Sequence, residues 1–210
     1  KDNELRYRGG ICMQRVNMVE YLEMVSNGNL AINVLNHIII VVALILYFSN
    51  VRNKERIVLG AIGILFLSVI GNAIYYGNPF HILTFLIMEG MVIWAFIKFK
   101  ETDVKQEMNG AVMGISGLFI LLGLWYPEFV HTNMVASLMF SPLGLAPCPT
   151  LLTCMGILNI ILTKVDRKLF ICVLGFTIIY GLIGTFSFHV YFDIALLALC
   201  AFSIWNLRRV

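Results

Sequence analysis

The chain has 210 residues, of which 60% are hydrophobic and 13% charged, and a net charge of +3, whereas a soluble domain is charged at roughly a quarter of its positions. Charges gathered in short clusters between long apolar runs exclude a soluble globule with one core and a polar shell. The basic residues border apolar segments, so they read as topology signals and imply no DNA or RNA partner.

Residues 1–29 form a tail. Arg8, Gly9 and Gly10 can be encoded by a purine run like a bacterial ribosome-binding site, and Met13 follows closely, so Met13 is the expected natural start. From there Met18, Leu22 and Val25 share one helical face, as in a short helix lying on the membrane surface. No short apolar stretch followed by a small-residue cleavage site precedes the first long apolar run, so a cleavable signal peptide is not expected.

A hydrocarbon core about 30 Å thick takes roughly 20 helical residues. Seven runs approach that length: Leu30 to Phe48, Ile57 to Tyr76, Phe80 to Phe99, Gly110 to Tyr126, Thr150 to Thr163, Leu169 to Phe186 and His189 to Asn206. The fifth is short, and its start could lie nearer Leu145. The expected fold is all-α, an integral membrane bundle of about seven transmembrane helices over residues 30–210.

Short cytoplasmic loops accumulate Lys and Arg. Arg52, Lys54 and Arg56 follow the first run, Lys98, Lys100 and Lys105 the third, Lys164, Arg167 and Lys168 the fifth, and Arg208 and Arg209 the seventh. The alternate connections, 77–79, 127–149 and 187–188, contain neither Lys nor Arg. The expected orientation places the N-terminus outside and the C-terminus in the cytoplasm. Within the outer connection, residues 134–146 are apolar but too short to span, and would either lie flat on the surface or re-enter the protein.

Intramembrane polar groups carry the functional information, because each is costly unless it meets a partner or water. Glu89 lies about 13 Å into the third run. It reads as a proton- or cation-binding group or as a carboxyl bonded to Ser68 or Asn72, which share a face. Asp193 lies one turn inside the seventh run, four residues after His189 and on the same helical face, so the two are expected to meet. His37, His81, His131 and His189 all map to the outer half together with Cys148. Imidazole, thiolate and carboxylate are transition-metal ligands, and imidazoles on different helices can hold a haem. Anchoring of rings at the membrane interface accounts for the same clustering.

The stretch Gly144-Leu145-Ala146-Pro147-Cys148-Pro149-Thr150 is the most distinctive. Pro149 suits a first helical turn, which would place Cys148 at the cap, where the helix dipole favours a thiolate. A buried cysteine acting as a small hydrophobe at a rigid helix entry is the plainer alternative. Cys148, Leu152, Met155 and Asn159 fall on one helical face, a sulfur and amide stripe descending from the outer side. No CxxC pair, phosphate loop, HExxH or GxSxG elbow occurs, so no structural disulfide is expected and no motif specifies a cofactor.

The Tyr126-Pro127 pair, the Pro147-Cys148-Pro149-Thr150 core, the Asn29-Leu30-Ala31-Ile32 entry and Asp193-Ile194-Ala195-Leu196-Leu197 resemble an uncharacterised bacterial membrane family, domain of unknown function sixty-sixty-four. The likeness follows span order over nearly the whole chain; only the Pro-Cys-Pro-Thr element is specific to it. The resemblance implies a multi-pass protein of a prokaryotic plasma membrane and supplies no activity.

These residues lead to an expected binding or passage of a small polar solute or metal ion at an outward-facing site. Glu89, Asp193 and Asn159 are its ligand or ion candidates, and Cys148, His189, His81 and His131 its metal candidates. A haem or thiol oxidoreductase, and a non-catalytic subunit joined to partner helices through its polar residues, are the alternatives. Whether the chain is an enzyme is open at this point.

Overall fold

The computed structural model describes Met24 and residues 27–49, 51–99, 109–128 and 137–209. Among these the chain is helical, with seven helices of fourteen residues or more. They are α1 Leu30–Phe48, α2 Lys54–Tyr75, α3 Pro79–Lys98, α4 Gly110–Trp125, α5 Pro147–Ile160, α6 Arg167–Leu182 and α7 Ile194–Leu207. Four stretches are long and apolar enough to cross a membrane: α1, α2, α3 and α6 with its π-helical continuation, Arg167–Ser187. The expected surface helix around Met18 and the proposed start at Met13 lie outside the described residues.

Local chemistry explains where the helices begin. Asn29 caps α1, its Oδ1 accepting from Ile32 N at 3.2 Å, and Asn78 caps α3 by accepting from His81 N at 3.1 Å. Asn109 and Asp166 cap α4 and α6 in the same way, accepting from Ala111 N at 3.0 Å and Lys168 N at 2.7 Å. Each cap satisfies one of the amide donors that a helix start leaves without an intrahelical partner. Pro79 and Pro147 occupy the first turns of α3 and α5, where a missing N–H costs nothing.

The expected boundaries hold for α1 and shift by a few residues in α2, α3 and α4. Two departures are larger. The fifth helix begins at Pro147, three residues before Thr150, so Cys148 stands inside the first turn and Ala146 is the cap. The seventh begins at Ile194, five residues after His189. His189 has φ 56°, a left-handed conformation that ends the preceding π-helix Ile183–Ser187, and a 3₁₀ turn, Tyr191–Asp193, leads into α7.

The arrangement of α1 identifies the solvent. Its inward face carries Asn33, Asn36 and His37, all buried, while Leu35, Ile38, Val42 and Ile45 point outward. A helix that turns its amides into the protein and its aliphatic chains away is stable only where the surroundings are apolar. The exposed aliphatics of α2 and α3, such as Ile64, Leu67, Leu83 and Ile87, extend that lipid-facing surface.

The two ends of the bundle differ. At one end Lys164 Nζ, in the 3₁₀ turn Leu162–Lys164 that follows α5, lies 3.1 Å from Glu55 Oε1 of α2. Asn206 Nδ2 donates to Asn159 Oδ1 at 3.0 Å, joining α7 to α5. Lys98 and Arg209 cover Trp94 and Trp205 at the same basic end, 3.7 and 4.5 Å from the ring centroids. The opposite end carries the start of α5, the 141–146 segment and the break between α6 and α7.

Candidate functional site

Of the apolar stretch 134–146, residues 134–136 lie outside the described residues; Leu138 is exposed, while Ser141, Leu143 and Leu145 are buried inside the bundle. Irregular backbone cut off from water must find partners for its amides and carbonyls, and here three asparagines supply them. Asn33 Nδ2 donates to Phe140 O at 3.4 Å, Asn36 Nδ2 to Leu143 O at 3.0 Å, and Asn72 Nδ2 to Leu145 O at 3.0 Å. Thr150 closes the loop, accepting from Gly144 N at 2.8 Å and donating to Ala146 O at 2.7 Å. His37, placed by sequence among the outer rings, supports the same segment: its Nε2 lies 3.2 Å from Ser141 Oγ and 3.1 Å from Leu124 O. Asn36 also donates to Ser68 Oγ at 3.0 Å. Asn36 lies about 9 Å into α1 and Asn72 about 5 Å from the end of α2, so the loop and the α5 start are seated one to two turns below the rim.

Seating α5 in this way brings Cys148 against the start of α7. Cys148 Sγ donates to Asp193 Oδ2 at 3.1 Å, and Tyr126 Oη, from the end of α4, donates to Asp193 Oδ1 at 2.7 Å. Asp193 is 1% exposed, so both oxygens of a sealed carboxylate are met by side-chain donors. Gly184 in the π-helix lies directly against this carboxylate, where any side chain would collide with it. The π-turn thus makes room for the acid, a common role for such turns at functional sites. Cys148 is partly exposed, and Glu128, also partly exposed, is near enough to interact with the cluster through its charge.

Of the residues singled out from sequence, Cys148 and Asp193 come together. His189 does not join Asp193: the backbone between them is not α-helical, and His189 is exposed while Asp193 is buried. His81 is half-buried beside the ring of Tyr180, 5.5 Å between centroids, and Tyr180 in turn shares a 2.7 Å hydrogen bond with Thr84. His131 lies outside the described residues. Among the described residues no three His, Cys, Asp or Glu side chains converge.

Asn159 sits at the far end of the stripe, about 16 Å below Cys148. There it donates to Ser203 Oγ at 2.7 Å and accepts from Asn206, holding α5 to α7. Glu89 does not meet Ser68 or Asn72: Ser68 accepts from Asn36, and Asn72 donates to Leu145 O. It lies against Gly63 of α2 and is 6% exposed.

Sequence reasoning missed Tyr126 as a partner of Asp193, and it missed Gly184. The signal available for Tyr126 was its depth: a tyrosine ending the fourth run falls level with an acid beginning the seventh. No protein-family model, curated protein or solved structure matches the chain.

Chemically, the cluster offers one carboxylate, one thiol and one phenol at the meeting point of α4, α5 and α7. Carboxylate and thiolate together suit a cation, and the three groups can equally exchange hydrogen bonds with a small polar solute.

Proposed function

We propose that the chain is a multi-pass plasma-membrane protein of a prokaryote that binds a small polar solute or metal ion at the Tyr126–Cys148–Asp193 cluster and serves its passage. The observation that carries this reading is the sealed Asp193 carboxylate held by donors from two other helices. It stands beside a helix that starts below the rim behind buried irregular backbone. Broken helices and non-helical segments at depth are tolerated where they are covered by protein or build a site. The basic end is taken as cytoplasmic by the charge rule, which makes the cluster outward-facing, the N-terminus external and the C-terminus cytoplasmic. Membership in the family that the Pro147–Thr150 element resembles belongs to the same proposal.

The test uses the partly exposed thiol. An impermeant maleimide applied to intact cells is expected to modify Cys148, and stoichiometric Zn²⁺ or Cu⁺, or one member of a panel of small polar solutes, is expected to protect it. Asp193→Asn is expected to abolish that protection. Labelling that occurs only after the cells are opened would reverse the orientation. Labelling that no metal or solute slows, with metal-free purified protein and unchanged uptake in Cys148→Ala cells, would end the proposal.

A further inference from the structure

Three acidic side chains are buried among the described residues: Glu55, Glu89 and Asp193. Glu55 is paired with Lys164, and Asp193 receives two hydrogen bonds. Glu89 differs, for its Oε2 is buried with neither a hydrogen-bond partner nor an ion pair. We propose that Glu89 is a proton-binding site, loaded and unloaded reversibly, in the middle of the bundle and distinct from the Cys148–Asp193 cluster.

The backbone has made room for this carboxyl. Gly63 faces it from α2, and a Cβ built there would stand 3.3 Å from Oε1 and 3.5 Å from Oε2, with Val92 of α3 at 3.4 Å. The missing side chain at Gly63 therefore leaves the carboxyl room against α2. Gly63 and Glu89 are each close to midway along their helices, α2 Lys54–Tyr75 and α3 Pro79–Lys98. On the neighbouring helices, the ionisable groups are few. From α5, Cys154 is near enough to interact with Glu89 through its charge. Besides Arg167 and Lys168 in its first turn, α6 carries Cys172 and Tyr180, and Tyr180 is bonded to Thr84. The nearest cations along α2 and α3, Arg56 and Lys98, are about 10 and 13 Å away along the helix axes and cover the rings of Phe96 and Trp94.

This composition selects the ligand. Ca²⁺ or Mg²⁺ takes six or more ligands, mostly oxygens from protein and water, Zn²⁺ takes four nitrogen, sulfur or oxygen ligands, and no second carboxylate or hydroxyl is bonded to Glu89 among the described residues. A proton needs a single oxygen, and its addition to the carboxylate gives a neutral acid that is far less costly to bury. The bare oxygen also separates this reading from a purely structural one. A glutamic acid kept for helix pairing would bond a neighbouring helix, and Oε2 does not.

The experiment is infrared difference spectroscopy of the full chain in lipid, titrated from about pH 5 to about pH 9, comparing wild type with the isosteric Glu89→Gln. The expected result is a protonated-carboxyl carbonyl band that weakens at least tenfold across the range and is missing from Glu89→Gln. If that variant does not fold, wild type treated with dicyclohexylcarbodiimide replaces the comparison, because the reagent adds across a protonated carboxyl to leave an N-acylurea. The adduct should then appear on the Glu89 peptide at low pH and fade as pH rises. A band or adduct independent of pH, or none at any pH, would overturn the proposal.

Discussion

Cys148 Sγ stands 3.1 Å from Asp193 Oδ2, and this contact joins the first turn of the fifth helix to the start of the seventh. With Tyr126 on the other oxygen, three helix ends converge on one carboxylate. Replacing Asp193 by Ala leaves the Tyr126 hydroxyl buried without an acceptor, an expected loss of about 1–3 kcal/mol. Cys148→Ala removes only the weaker sulfur donor and should cost less. Thermal unfolding in detergent micelles orders the two; equal melting of Asp193→Ala and wild type would show that the carboxylate does not hold these helices together.

Among the described residues, the two glycines of positive φ separate conformational cost from crowding. Gly77 has φ +66° with nothing near an added Cβ, whereas Gly144, φ +74°, has the Asn36 side chain in that space. Gly77→Ala should cost about 1–2 kcal/mol for the left-handed backbone alone. Gly144→Ala should cost more, because it also displaces the amide that holds Leu143 O. Similar melting temperatures for the two variants would contradict the packing of Asn36 against the loop.

The helices were legible because lipid demands long apolar runs, and α1 coincides with its run from Leu30 to Phe48. Loop chemistry was far less so. Asn36 and Leu143 are 107 residues apart, and no local pattern says that an amide on the first helix will satisfy a carbonyl before the fifth. Periodicity also misassigned His189 to a helix, since nothing in a continuous apolar run announces a residue at φ 56°. Asp193 stood out because an acid in an apolar run is rare, and Cys148 was expected at the same outward site, but Tyr126 comes from another helix and emerged only from the packing.

If the asparagines serve the loop backbone, apolar replacements should act through the orphaned carbonyls. Asn36→Leu and Asn72→Leu retain volume yet leave Leu143 O and Leu145 O unmet, each expected to cost about 1–3 kcal/mol. Both should also raise hydrogen exchange at Gly144 and Leu145, because the loop opens before the bundle does. Exchange at those amides identical to wild type would mean that the loop is held by other contacts.

At the basic end, Glu55 and Lys164 make a pair whose side chains are 8% and 16% exposed. Lys164→Met leaves a buried carboxylate without its cation, for which the expected loss is about 3–5 kcal/mol. The adjacent Arg56 is a poor substitute. Neighbouring positions on a helix do not face the same way, and its guanidinium lies 4.6 Å from the Phe96 ring centroid. The double variant Glu55→Gln with Lys164→Met removes both charges, so it should recover at least half of the single-variant loss. A double-mutant cycle on melting free energies measures this directly. Additive losses would show that each residue acts alone, and α2 would then not be tied to the end of α5 by this ion pair.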